Sequence, residues 1–226
     1  MKINILKQII ENKKQKTEFS IITDLSTGET KILKKDLPFD EKLNKYSKQI
    51  NDFLKSKKNG VISDTNLFVE TFVRPIKVII VGAVHIAQYL VDYAKSLNFE
   101  IHIIDPRGYF ASKKRFPNVN IINKWPDEAL KELETDESTA LIALTHDPKI
   151  DDPALKHALD KKFYYIGALG SKKTHSGRCG RLREAGYSNE QIDLIHGPVG
   201  IKLGGKSASE IALSIISQLV LITNNR

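Results

Sequence analysis

The sequence predicts an α/β fold, a Rossmann-like doubly wound parallel sheet preceded by a small α+β N-terminal segment. Three observations carry that prediction. Residues 76–82, Ile-Lys-Val-Ile-Ile-Val-Gly, form a nearly unbroken apolar run, as expected of a parallel strand buried on both faces. Downstream, short apolar runs alternate with amphipathic stretches of helical period, the signature of strand–helix–strand units. Several of those runs end in Gly, His, Asp or Ser, and in open α/β sheets the carboxyl ends of the strands are where ligands bind.

The elements follow in order. Residues 1–74 form the small segment and 75–226 the Rossmann-like domain. In the segment, Ile3 to Ile10 reads as a short amphipathic helix. Phe19 to Asp24 and Thr30 to Leu33 read as a hairpin around Ser26-Thr27-Gly28-Glu29. Phe39 to Leu54 reads as a helix with Leu43, Tyr46 and Ile50 on one face, and Leu67 to Val73 as a strand. This piece is too small for a large core of its own and is expected to dock on the main domain or serve as a subunit contact. In the main domain, the strand at 76–82 leads to a helix from Ile86 to Leu97. Glu100 to Asp105, Val119 to Ile122, Thr139 to Leu144 and Phe163 to Ile166 read as further strands. Helices are expected from Pro126, from Asp152-Pro153 with Asp152 as cap, over Thr174 to Glu184, and over Ser207 to Leu221. Ser207 and Glu210 have capping-box spacing.

Composition narrows the function classes. The chain has 226 residues and a formal net charge of +8. Residues 1–60 hold 14 lysines against eight acidic residues, so most of the excess lies there. Without an aromatic-interleaved basic stripe or a nucleic-acid-binding signature, the charge reads as a solvated face, and no nucleic-acid partner is expected. Charge interrupts the first residues too early for a signal peptide, and no apolar run approaches a membrane span. Cys179, the single cysteine, excludes an intramolecular disulfide. A cytoplasmic protein is expected.

Four strand tips are expected to converge on one rim. The first reads Gly82-Ala83-Val84-His85. It is half of a dinucleotide fingerprint: Val84 stands where a second glycine would admit the pyrophosphate, whereas Asp105 lies 23 residues after Gly82, where a ribose-binding acid belongs. His85 falls at a helix N-terminus, whose field favours neutral imidazole. The second tip is Asp105-Pro106-Arg107. The third, Thr145-His146-Asp147-Pro148-Lys149-Ile150-Asp151-Asp152-Pro153, is read as a loop able to bind a metal, hold an anion or perform acid–base chemistry. The fourth, Gly167-Ala168-Leu169-Gly170-Ser171 with Thr174-His175, has the makings of an anion cradle suited to phosphate. Cys179 has no local partner for a nucleophilic role and is read as structural. No catalytic residue and no metal ligand is assigned.

These blocks, in this order over about residues 75–220, resemble the XdhC/CoxI family of molybdoenzyme accessory proteins. The stretches that carry the resemblance are Val81 to Gln88, Asp105 to Arg107, Arg115-Phe116-Pro117, Leu144 to Lys149 with Asp151 to Leu155, Tyr165 to Ser171 with Thr174-His175, and Gly204 to Ser214. Many members show glycine where Val84 stands, so the G-A-V-H version looks like a subgroup trait. The resemblance implies a non-catalytic role in maturing a xanthine-dehydrogenase-type or carbon-monoxide-dehydrogenase-type enzyme. Such a protein would bind molybdenum cofactor (molybdopterin), assist its sulfuration with a cysteine desulfurase, and deliver it to the molybdenum hydroxylase apoenzyme. A homodimer is expected. The implied cofactor-binding residues are Gly82, Ala83, His85, Asp105, Arg107, Thr145, His146, Asp147, Gly167, Gly170, Ser171 and His175. Typical members carry a G-G-C-like motif near the N-terminus. Residues 1–74 have none, so any sulfur chemistry at such a cysteine would have to proceed differently here. Two alternatives use the same rim: an NAD(P)-dependent oxidoreductase, and a nucleotide-sensing interaction module without catalysis.

Overall fold

The computed structural model describes residues 3–15, 17–34 and 41–225. The chain divides into two compact units, Met1–Pro75 and Ile76–Arg226.

The first unit begins with helix α1 (Ile3–Lys14), followed by β1 (Phe19–Asp24) and β2 (Thr30–Lys34). Next come α2 (Glu41–Asn44), α3 (Ser47–Ser56), β3 (Gly60–Val61) and β4 (Leu67–Phe72). The strands form an antiparallel sheet ordered β2-β1-β4-β3. Two small apolar clusters serve it. Ile9, Phe19 and Ile21 form one, with Phe19 stacked on its cross-strand partner Phe72 at 4.6 Å. Ile22, Leu43, Ile50, Ile62 and Val69 form the other. One expectation is corrected. The helix expected from Phe39 begins outside the described residues, and its described part breaks into α2 and α3 at Lys45-Tyr46. The two-residue β3 is too short to show periodicity.

The second unit starts at β5 (Lys77–Val81) and α4 (His85–Ser96), then β6 (Glu100–Ile104), β7 (Asn120–Ile122) and α5 (Pro126–Glu132). It continues through β8 (Thr139–Ala143), α6 (Pro148–Asp160), β9 (Tyr165–Ala168) and α7 (Lys172–Glu184). It ends with α8 (Asn189–Ile192), β10 (Ile195–His196) and α9 (Ala208–Asn224). Six parallel strands run in the order β10-β9-β8-β5-β6-β7. The period-two alternation of β5 supplies both cores. Val78 and Ile80 join α4 and α9 on one face, through Leu90, Ala94, Ile215 and Leu219. Ile79 and Val81 join α5, α6 and α7 on the other, through Leu130, Leu155 and Leu182. The chain order reverses between β5 and β8, so the topological switch point lies between their carboxyl ends.

The main correction concerns α6. It starts at Pro148, capped by Asp147, and not after Asp152-Pro153, so the predicted loop at 148–153 is helix. The chain contains two Asp-Pro pairs with identical start signals. The first is used, because Asp151 must lie within the helix to bond the preceding turn. Pro153 then sits inside α6 and withholds one backbone donor. Asp152 is correspondingly not a cap: it pairs with Arg181 at 2.6 and 2.9 Å. Residues 195–196 form a short edge strand, β10, which pairs with β9.

Candidate functional site at the strand ends

Parallel register aligns the tips. Val81 pairs with Ile104 on one side and Ala143 on the other, and Ala143 with Ala168, so their carboxyl ends share one edge. Backbone bonds extend the ladder one residue further: the Gly82 N–H donates to Ile104, that of Leu144 to Val81, and that of Leu169 to Ala143.

Asp105 is the hub of the β5–β6 side. It is fully buried, with Oδ2 accepting from the Ala83 amide at 2.8 Å and from Arg107 Nη2 at 2.8 Å. Its Oδ1 accepts from the Arg107 amide and Nε, both at 2.9 Å. Burial pushes this carboxyl up, but the Arg107 side chain and the two amides outweigh burial and hold it below the usual carboxylate range. Both oxygens are occupied, so Asp105 acts as a brace for the first turn and for Arg107, rather than as a ribose acceptor. Arg107 remains partly exposed and lies over the Phe110 ring at 4.8 Å.

Gly82 has φ +107, and a Cβ there would stand 2.5 Å from Thr145 Cγ2. Its glycine is therefore required by the neighbouring β8 turn as well as by backbone conformation. Val84 caps α4 without a side-chain hydrogen bond, and its side chain packs against the core cluster of α4 and α9. Among the described residues, no N-cap side chain bonds the first α4 amides, although Asp105 holds the Ala83 amide just before them, and an open helix N-terminus of this kind suits an anionic ligand. His85 is the first helical residue, exposed, with Nδ1 3.4 Å from Gln88 Oε1 and its ring edge-on to Tyr89.

Sequence reasoning missed Arg115 as a site residue. Its Nη1 donates to the Ala83 and Phe110 carbonyls, both at 2.7 Å, and its Nη2 to Gln88 Oε1 at 3.1 Å. The Arg-Phe-Pro triplet marked the position, but an isolated arginine in a loop shows nothing of its partners.

Asp151, read from the sequence only as part of the third-tip loop, organises the β8–α6 turn. It accepts from Thr145 Oγ1 at 2.6 Å, from the Thr145 amide at 3.3 Å and from the His146 amide at 3.0 Å. Burial pushes its pKa up, against those bonds and the charge of Arg178. His146 is held at φ +64, a backbone state costly for a non-glycine residue, and its side chain is exposed. Asp147 bonds the Lys149 amide at 2.9 Å as the α6 cap, which accounts for its position without a ligand role.

The fourth tip divides. Gly167 lies buried inside β9, where a Cβ would stand 2.5 Å from Val199 Cγ2, so packing accounts for it. Gly170 has φ +146 and leads into Ser171, the α7 cap, whose Oγ accepts from the Thr174 amide at 3.1 Å. His175 faces Gly197, with Nδ1 3.4 Å from Arg178 Nη1 and Nε2 3.5 Å from Cys179 Sγ. Burial and then Arg178 push its pKa down. Bonds and contacts therefore link Gly82, Ala83, Asp105, Arg107 and Thr145, with His146 and Asp147 on the adjoining turn. Gly167 and His175 are engaged in the packing behind them.

A six-stranded parallel sheet with an uncapped helix N-terminus at its switch point and a carboxylate-braced arginine on the same edge defines a Rossmann-type domain. Residues 78–219, well over half of the chain, match the XdhC Rossmann domain, and the chain belongs to that family. It is 37% identical over 103 residues to the molybdenum cofactor insertion chaperone PaoD of Escherichia coli, covering 46% of this chain and 32% of the relative. It is 25% identical over 157 residues to a probable xanthine dehydrogenase subunit of Bacillus subtilis, covering 69% of this chain and 46% of the relative. The chain thus spans less than half the length of these curated relatives. A crystal structure from Bacillus halodurans described as a xanthine dehydrogenase superposes with a TM-score of 0.73 at 22% identity, over 99% of this chain and 67% of that one. That likeness establishes the shared fold.

Proposed function

We propose that this protein is an accessory protein in the maturation of a molybdenum hydroxylase of the xanthine dehydrogenase or carbon monoxide dehydrogenase type. In this reading it carries molybdenum cofactor, or a nucleotide, on the rim formed by the ends of β5, β6 and β8, and assists sulfuration and insertion. The observation that carries the reading is the α4 N-terminus, uncapped at the switch point and flanked by Arg107. An anionic, phosphate-bearing organic cargo suits that donor set. The name of the Escherichia coli relative supports the choice of cargo.

The cargo's organic part would be held by the α4 amides and by Arg107, with Arg115 fixing the turn through the Ala83 carbonyl. Among the described residues no group of three or more His, Cys, Asp or Glu side chains is placed to hold a metal ion. The reading accordingly has the chain grip the cargo away from its metal. The molybdenum hydroxylase apoenzyme and a cysteine desulfurase are the proposed partners, a homodimer the proposed state, and the cytoplasm the proposed location. Among the described residues no helix is long and apolar enough to cross a membrane. The oxidoreductase alternative loses support from the structure, since Val84 packs into the core and Asp105 is saturated.

The test is a binding titration of the full chain with molybdenum cofactor, NAD(H) and NADP(H), repeated with Arg107→Gln and His146→Ala. Cofactor binding is expected, weakened about tenfold in Arg107→Gln through loss of one charge-assisted contact worth about 1.5 kcal/mol or more. Tight dinucleotide binding with no cofactor binding would overturn the proposal.

A further inference from the structure

A cavity of about 280 Å³ lies between the N-terminal turn of α6 and the first turns of α7, with His146 at its edge. Its lining includes three cations, Lys173, Arg178 and Arg181, and one carboxylate, Asp151. Two of these four are committed elsewhere. Arg181 holds Asp152 through Nε and Nη2, and Asp151 is occupied by Thr145 and the His146 amide.

Arg178 is different. It is only 2% exposed, and Nη2 donates to the Leu169 carbonyl at 2.9 Å. Nη1 lies 3.4 Å from His175 Nδ1, and Nε has no hydrogen-bond partner. Its nearest carboxylate oxygen, on Asp151, stands 4.0 Å away, beyond hydrogen-bond distance. A guanidinium has five donors in a planar fork. Burying that charge without a hydrogen-bonded counter-ion is costly, and an anion in the adjoining cavity would offset the cost.

Gly177 forms part of the cavity wall, in the middle of α7, where glycine disfavours a helix. A methyl group there would meet nothing nearer than Arg181 Nη1 at 3.7 Å, so packing does not demand glycine. The glycine marks a place where a small residue leaves the cavity wall open and where a larger acidic side chain would intrude.

We propose that this cavity is a phosphate-binding site, with Arg178 and Lys173 as the anion's cationic partners. The volume is at the lower end of the range for small-ligand sites and admits a compact tetrahedral group. Arginine's fork matches phosphate oxygens, and the exposed Lys173 adds a flexible point charge at the mouth. The site adjoins the proposed cofactor rim at His146, but its cationic partners lie on α7, and its test does not depend on the cofactor reading.

The test is calorimetric titration of the full chain with inorganic phosphate and, separately, with adenosine 5′-monophosphate, in phosphate-free buffer at neutral pH. Wild type is compared with Lys173→Gln, Gly177→Ala and Gly177→Glu. Wild type is expected to bind. Lys173→Gln should weaken binding about tenfold. Gly177→Ala should retain it, and Gly177→Glu, which places a carboxylate against the cavity, should abolish it. Should Gly177→Glu fail to fold, the exposed Lys173→Gln decides alone. Binding of both ligands in competition assigns the site to the phosphoryl group of a larger molecule, and binding of inorganic phosphate alone assigns it to the free ion. The inference is overturned if wild type binds neither, or if Lys173→Gln binds as wild type does. Cofactor binding without phosphate binding would overturn this inference and leave the proposed function standing.

Discussion

Replacing Asp105 by asparagine isolates the brace at the switch point. The substitution keeps the shape of a fully buried side chain and removes its charge. Four donors converge on the carboxylate: two amides, from Ala83 and Arg107, and two guanidinium nitrogens. An amide side chain has one acceptor oxygen, so one side of the cluster would meet an N–H group instead. Hydrogen bonds to a charged group contribute about 1.5–3 kcal/mol each, and breaking a buried ion pair costs about 3–5 kcal/mol. The Arg107 side chain is 39% exposed, so water recovers part of its solvation and the loss falls below that upper figure. We expect about 2–3 kcal/mol. The chain's single tryptophan, Trp125, lies in the same unit, so urea unfolding followed by tryptophan fluorescence reads the effect where it occurs. At about 2–4 °C per kcal/mol, the melting temperature should fall by roughly 4–12 °C. A loss under about 1 kcal/mol would refute the claim that Asp105 is a brace, because the four bonds would then contribute no more than ordinary neutral ones.

Further outcomes are expected. Gly82→Ala should destabilise by about 2–4 kcal/mol, combining the cost of positive φ with overlap on Thr145 Cγ2; adding Thr145→Ser should recover the overlap part only, as read by the same unfolding assay. Ser207→Ala removes one half of the α9 capping box and should cost about 1 kcal/mol; an unchanged urea midpoint would count against the cap. Burial depresses the pKa values of His157, His175 and His196 below 6.5. The unfolded chain therefore binds more protons just below that value, and stability should fall as pH drops from about 7 through 6.5 and below. Melting temperatures measured across that window should decline, and a flat profile would contradict the burial of these rings.

Legibility follows physical range. The β5 strand and the parallel architecture of the first five strands can be read because a doubly buried strand must be apolar on both faces, and residues 76–82 show that without any partner in view. The Ser207 cap is equally legible, since its contacts span three residues. Asp105 is found by spacing but misassigned by it: the distance from Gly82 is that of a ribose acceptor, and the bonds to Arg107 and Ala83 become visible only once two strand ends meet. The start of α6 is misplaced because local signals at Asp147-Pro148 and Asp152-Pro153 are alike. The choice between them is made by Asp151, which reaches back to Thr145 and His146. Arg178 and Arg115 stay hidden for the same reason, as their surroundings are assembled from segments that come together only in the fold.

The contact between the Gly82 position and Thr145 Cγ2 also constrains how this rim can evolve. Three strands and two helices separate the two residues along the chain, yet they occupy one volume. A lineage that acquired a larger residue at 82 would have to shorten residue 145 in step, and the hydroxyl serving Asp151 would have to survive that change. Serine meets both demands and alanine only the first. Substitutions at these two positions should therefore travel together, and a homologue that breaks the pairing would mark a branch whose switch point has been rebuilt.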